Sequence, residues 1–124
     1  MHAVTDPVAP YAGVPARGSP DYYAPAVPAW LRAWALRDAC RGGPAIFLRT
    51  RAVTAQRWGG CDDGAVIAGY RLAAGGHTWP QRFGGVGGSN AISAFFAAHP
   101  GEQDGPPKGQ RGAGRRDDEG TGGR

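Results

Sequence analysis

The chain has no apolar run approaching the ~20 residues that a bilayer-spanning helix needs, so no membrane span is expected. Its first residues hold neither a basic stretch nor a long apolar core, and no signal peptide is expected there. Basic residues form no dense cluster. The arginines of residues 1–99 are scattered and stand among Asp6, Asp21, Asp38, Asp62 and Asp63. A nucleic-acid surface gathers Lys and Arg on one face with aromatic platforms between them, so nucleic acid is not an expected partner. The net charge of +4 is too unspecific to alter that. No Cys-x-x-Cys pair occurs, and His2, His77 and His99 have no metal-ligand spacing with the cysteines. Neither a metal site nor a cofactor is expected. From Pro100 to Arg124 there is no aromatic residue and no aliphatic larger than Ala113. Such a segment cannot bury enough apolar surface to offset its ordering entropy. A disordered tail is expected for residues 100–124, after a single domain over residues 1–99.

Glycine (22) and proline (11) make up more than a quarter of the 124 residues, so breakers punctuate what remains. Residues 2–5 read as the end of a strand, and Asp6-Pro7 as a turn, because Asp bonds the backbone two residues on and Pro sets φ. Prolines and glycines then keep the chain in a long loop to Pro28. Pro28 to Cys40 is the best helix: Pro suits the first turn, and Val27, Trp30, Leu31 and Trp34 recur at helical spacing. Both tryptophans are read as core, and Gly42-Gly43-Pro44 as the stop. Ala45–Leu48 and Ala52–Thr54 read as short strands, Gly59–Gly64 as a turn, and Ala65–Leu72 as the strongest strand. Ser89-Asn90 offers an N-cap to a last helix over Ala91–His99, with Ile92, Phe95, Phe96 and His99 inward. His99 reads as a favourable group at that helix's C-terminus. The order of elements reads as α/β.

Two stretches carry chemistry. Gly75-Gly76-His77-Thr78-Trp79-Pro80 follows the strongest strand. Gly75 and Gly76 are free to take unusual backbone angles, while Pro80 stiffens Trp79. The result is a defined loop presenting an imidazole, the side chain best suited to proton shuttling near neutrality. The alternative is a hydrated loop histidine. The other stretch is the pair Cys40 and Cys61. An even count without Cys-x-x-Cys spacing favours a disulfide over zinc. Two free buried thiols are the alternative.

Two motifs resemble segments of the polyhydroxybutyrate depolymerase / feruloyl esterase family of α/β-hydrolases. His2-Ala3-Val4-Thr5-Asp6-Pro7-Val8-Ala9-Pro10-Tyr11-Ala12-Gly13 is similar to its HGTxDxxVPYxGG segment, with Ala3 in place of a glycine and Ala9 of a valine. Gly75 to Pro80 is similar to its GGHTWPG segment, and the resemblance covers nearly all of residues 1–99. It implies an incomplete C-terminal portion of an α/β-hydrolase fold. Asp6 matches the acid and His77 the general base of a Ser–Asp–His triad. Cys40 and Cys61 fall where such secreted esterases carry cysteines. The nucleophile's G-x-S-x-G turn is absent: Ser19, Ser89 and Ser93 lie in no such pattern. The implied reading is a piece of an extracellular serine esterase, inactive alone, whose partners are an ester substrate and a missing N-terminal segment. Polyester, feruloyl and acetyl esters all stay open as substrates. The alternative is a small non-enzymatic binding module.

Overall fold

The computed structural model describes residues 1–15 and 23–100. The disorder expected for residues 101–124 lies outside the described residues, as does Ser19. The elements are β1 (His2–Ala3), α1 (Val27–Arg37), β2 (Gly42–Arg49), β3 (Val53–Gly59), β4 (Ile67–Leu72), β5 (Arg82–Phe83), β6 (Val86–Gly87) and α2 (Gly88–Ala98). Four strands form one sheet in the order β1-β4-β3-β2, and β5 and β6 pair separately.

The α/β-hydrolase expectation is overturned. β2, β3 and β4 are successive antiparallel strands, and β1 alone pairs in parallel, along β4. The described domain is a small mixed sheet with two helices, mostly strand, and not a portion of an α/β-hydrolase. The physical reason lies in the connections. Parallel neighbours need a crossover of a dozen or more residues, usually helical. Here three residues join β2 to β3, and a turn with a single 3₁₀ turn at Asp62–Gly64 joins β3 to β4.

β3 and β4 each place alternate residues on opposite faces. Val53, Leu72 and Ala3 share one face with Phe83 and form one core. Trp58 turns to the other face, where Leu31 and Ala35 of α1 complete a second core. α1 comes close there: a Cβ built on Gly69 would stand 2.6 Å from Leu31 Cδ1. The buried stripe of α1 is therefore Val27, Leu31 and Ala35, four residues apart, which corrects the expected stripe. Trp30 is not core but 51% exposed, and Trp34 is half-buried under the Arg37 guanidinium, 3.4 Å from its ring centroid.

The helix also ends earlier than its glycines predict. Ala39 takes the left-handed conformation (φ 49°), with its N–H donating to Leu36 O and that of Cys40 to Ala35 O. The turn delivers Cys40 to Cys61, and the two form a disulfide across the end of β3. Asp62 N–H donates to Asp38 O over the same junction. This bridge fits an oxidising environment.

Two short strands escaped the sequence reading. Gly84 (φ 54°) and Gly85 (φ 85°) form the two-residue turn of the β5–β6 hairpin, where Phe83 pairs with Val86. Positive φ at both turn positions suits strand twist and calls for glycine. α2 then begins at Gly88 with Gly87 as its cap, not at Ser89-Asn90. Gly88 is the buried residue of that helix, lying too close to the Pro80 carbonyl to admit a Cβ. Phe96, expected inward, is 65% exposed. His99 Nδ1 caps the helix end by donating to Phe95 O at 2.8 Å.

Candidate active site

Asp6 and His77 stand 71 positions apart and meet at the end of β4. The parallel pairing His2↔Arg71 and Ala3↔Leu72 sets the segment after β1 beside the loop after β4. Val4 N–H donates to Leu72 O, extending that pairing by one bond. Thr5 Oγ then donates to Gly75 O at 2.6 Å and ties the two loops together. Gly75 holds φ 139°, which favours glycine, and a Cβ there would stand a tight 3.1 Å from Ala3 Cβ.

The chain turns sharply at Asp6. Its Oδ1 accepts the backbone N–H groups of Val8 and Ala9, both at 2.9 Å. This is the local Asx geometry that an Asp-Pro sequence favours. The carboxyl group is nearly buried, at 8% exposure. Its second oxygen, Oδ2, accepts from His77 Nδ1 at 3.0 Å. The Ala9 N–H, then His77 and the Val8 N–H, outweigh burial and hold the Asp6 carboxyl at about 2. Asp6 is thus ionised across the ordinary pH range, and each of its oxygens has a fixed task.

His2 adds a restraint for which the sequence offered no separate sign. Its Nε2 donates to Ala9 O at 2.6 Å and lies 3.7 Å from Asp6 Oδ2. The ring pins the far side of the Asp6 turn. Trp79 does the same for the histidine loop, its indole N–H donating to Ser89 Oγ at 3.2 Å. A histidine seven residues before the carbonyl it bonds and a tryptophan two residues after His77 are visible in the sequence. Their bonding is set by tertiary geometry.

His77 itself is open, with its side chain 58% exposed. With Nδ1 donating to Asp6, Nε2 is the tautomer's acceptor nitrogen. Among the described residues Nε2 has no hydrogen-bond partner, and neither Ser89 nor Ser93 bonds it. Gly76 and Thr78, on either side of His77, line a cavity of about 630 Å³ together with Asp6, Arg51, Arg82 and Phe83. Chemically this is an oriented base: a buried anion fixes the ring's tautomer and stabilises its cation, while the opposite nitrogen is free to take a proton.

No cluster of three or more His, Cys, Asp or Glu side chains suited to a metal ion occurs among the described residues. No helix among them is long and apolar enough to cross a membrane. No family model, curated protein or solved structure matches the chain.

Proposed function

We propose that the Asp6–His77 pair is the acid and base of an ester-hydrolysing site whose nucleophile is supplied by a further segment. The observation that carries this reading is the hydrogen bond from His77 Nδ1 to a carboxylate already fixed by two backbone N–H groups. A merely hydrated loop histidine needs no such partner. The likeness of residues 2–13 and 75–80 to segments of polyhydroxybutyrate depolymerases and feruloyl esterases supports the same chemistry.

In this reading a serine of a G-x-S-x-G turn comes within reach of Nε2. His77 takes the serine proton as Oγ forms its bond to the ester carbonyl carbon. The imidazolium, stabilised by Asp6, returns that proton to the departing alcohol as the C–O bond breaks. A water then repeats the cycle on the acyl-serine and releases the acid. The disulfide suits an oxidising, extracellular setting for such a site. The sequence holds no G-x-S-x-G turn and no described serine bonds His77, so no turnover is expected from the chain alone.

The test is hydrolysis of p-nitrophenyl butyrate. The purified chain should match its His77→Ala variant. Mixed with an upstream segment carrying the G-x-S-x-G turn of such an esterase, it should gain turnover, and His77→Ala should then lower kcat by on the order of 10³-fold or more. Complemented turnover that His77→Ala leaves unchanged would refute the role of His77.

A further inference from the structure

The sheet face covered by α1 is only half covered. Strand register places His2, Arg71 and Thr54 in one row across this face, Gly69 and Gln56 in the next, and Ile67 and Trp58 in the third. Leu31 packs on the Gly69–Trp58 end. Among the described residues the Arg71–Thr54 end is left open. The outcome is a cleft of about 680 Å³ between α1, the segment around Tyr11 and the sheet. That volume lies within the usual range of small-molecule sites, roughly 300–1,000 Å³.

Its walls are chemically graded. Leu31 and Trp58 make the inner end apolar, and Thr54, Gln56 and Arg71 make the mouth polar. Trp30 stands on the helix side, 51% exposed, although its neighbour Leu31 is buried. Tyr11 lines the cleft beside the start of α1, where its carbonyl accepts Val27 N–H, and the Arg71 guanidinium lies 5.8 Å from its ring centroid. Arg32 also lines the cleft. Neither Arg32 nor Arg71 has an acidic partner among the described residues, whereas Arg37 and Arg41 each have one.

We propose that this cleft, through Trp30 and Tyr11 at its walls and through Arg71 and Arg32, which have no acidic partner among the described residues, binds a small aromatic carboxylate. The ring enters against aromatic side chains, where stacking and apolar burial favour it. The carboxylate meets guanidinium groups, which pair with planar anions through two parallel N–H donors. Charge complementarity selects this occupant over a neutral apolar one. The inference does not rest on the esterase reading, since neither Asp6 nor His77 lines this cleft.

The experiment titrates the full chain with 2-naphthoate and, separately, with neutral 2-naphthamide, following backbone amide shifts by NMR. The expected result is saturable binding of 2-naphthoate, with shifts centred on Trp30, Gly69 and Arg71, about tenfold tighter than 2-naphthamide. Arg71→Gln, a substitution at an exposed position, should largely erase that difference. Trp30→Ala should weaken both probes several-fold. Equal affinity of the two probes would overturn the proposal, as would a preference that survives in the Arg71→Gln/Arg32→Gln double variant. Shifts centred away from the cleft, or no saturation up to 10 mM, would overturn it as well.

Discussion

Opening the Cys40–Cys61 disulfide should remove a large share of the domain's stability. The bridge spans 21 positions and joins the end of α1 to the turn after β3. In the loop-closure treatment, releasing a loop of that length costs about 3 kcal/mol. A domain of this size has a net stability of roughly 5–15 kcal/mol, so the loss is a substantial fraction of the whole. The non-covalent ties at the same junction cannot replace it. The Arg41–Asp62 ion pair is 78% and 59% exposed at its two side chains, and such pairs contribute about 0–1 kcal/mol. Urea unfolding of the wild type and of Cys40→Ser/Cys61→Ser, followed by tryptophan fluorescence, reads the difference. Trp58, buried against α1, is the useful reporter. With a slope of about 1.5 kcal/mol per M, the midpoint should fall by ~2 M. A fall under ~0.5 M with an unchanged slope would refute the view that this bridge holds helix and sheet together.

Three further perturbations address the candidate site and the core. The Asp6 carboxyl titrates at about 2 in the fold, below its ordinary value of 3.8. Its contribution is therefore complete above about pH 4 and lost as pH falls toward 2. Asp6→Asn should flatten stability across that window, seen in thermal melts at pH 2–5, and an unchanged profile would count against the hydrogen bonds assigned to Asp6. Gly75→Ala places a methyl group 3.1 Å from Ala3 Cβ at φ 139°. It should cost about 1–3 kcal/mol in chemical denaturation. Gly69→Ala drives a methyl group to 2.6 Å from Leu31 Cδ1, the end of a flexible side chain. A loss of about 1–2 kcal/mol is expected, and a neutral outcome would mean that Leu31 has room to move.

The parts of the fold legible in the sequence were those with strong local chemistry. Pro28 and the Val27/Leu31 spacing marked α1, and the run to Leu72 marked β4. What misled was tertiary in origin. Gly42-Gly43-Pro44 reads as a helix stop, yet it opens β2, because an edge strand tolerates proline. Ala52–Thr54 reads as a short strand, yet β3 runs on to Gly59 with Arg57 and Trp58 paired to Ala68 and Ile67, since cross-strand partners decide strand length. Trp30 has the composition of a core residue, but position on the helix face decides burial, and Ala35 takes the inner place. The architecture itself depended on pairing directions, which periodicity does not encode. Asp6 and His77 could be singled out in the sequence. The bonds that set them (from Val8 and Ala9 N–H to Asp6, and from Thr5 Oγ to Gly75 O) join side chains to the backbone, and no residue pattern states their lengths.

The pair's geometry follows from how little packs against it. His77 is largely exposed and its loop lies on the surface, so apolar contact does not hold the ring. Its position rests on the Asp6 Oδ2 bond, on the loop ends tied by Thr5 and Trp79, and on the His2–Ala9 clamp behind Asp6. The Asp6, Thr5 and His2 members of this set reach the sheet through β1, which is only two residues long. A strand that short contributes few ladder bonds, but its partner β4 is buried at Gly69 and Leu72 and paired along its length with β3. The rigid part of the molecule is therefore β3–β4, and β1 carries that rigidity to Asp6. A site so arranged has an acid held fixed by the sheet and a base left accessible to an outside group. That is the division of labour that general acid–base catalysis requires.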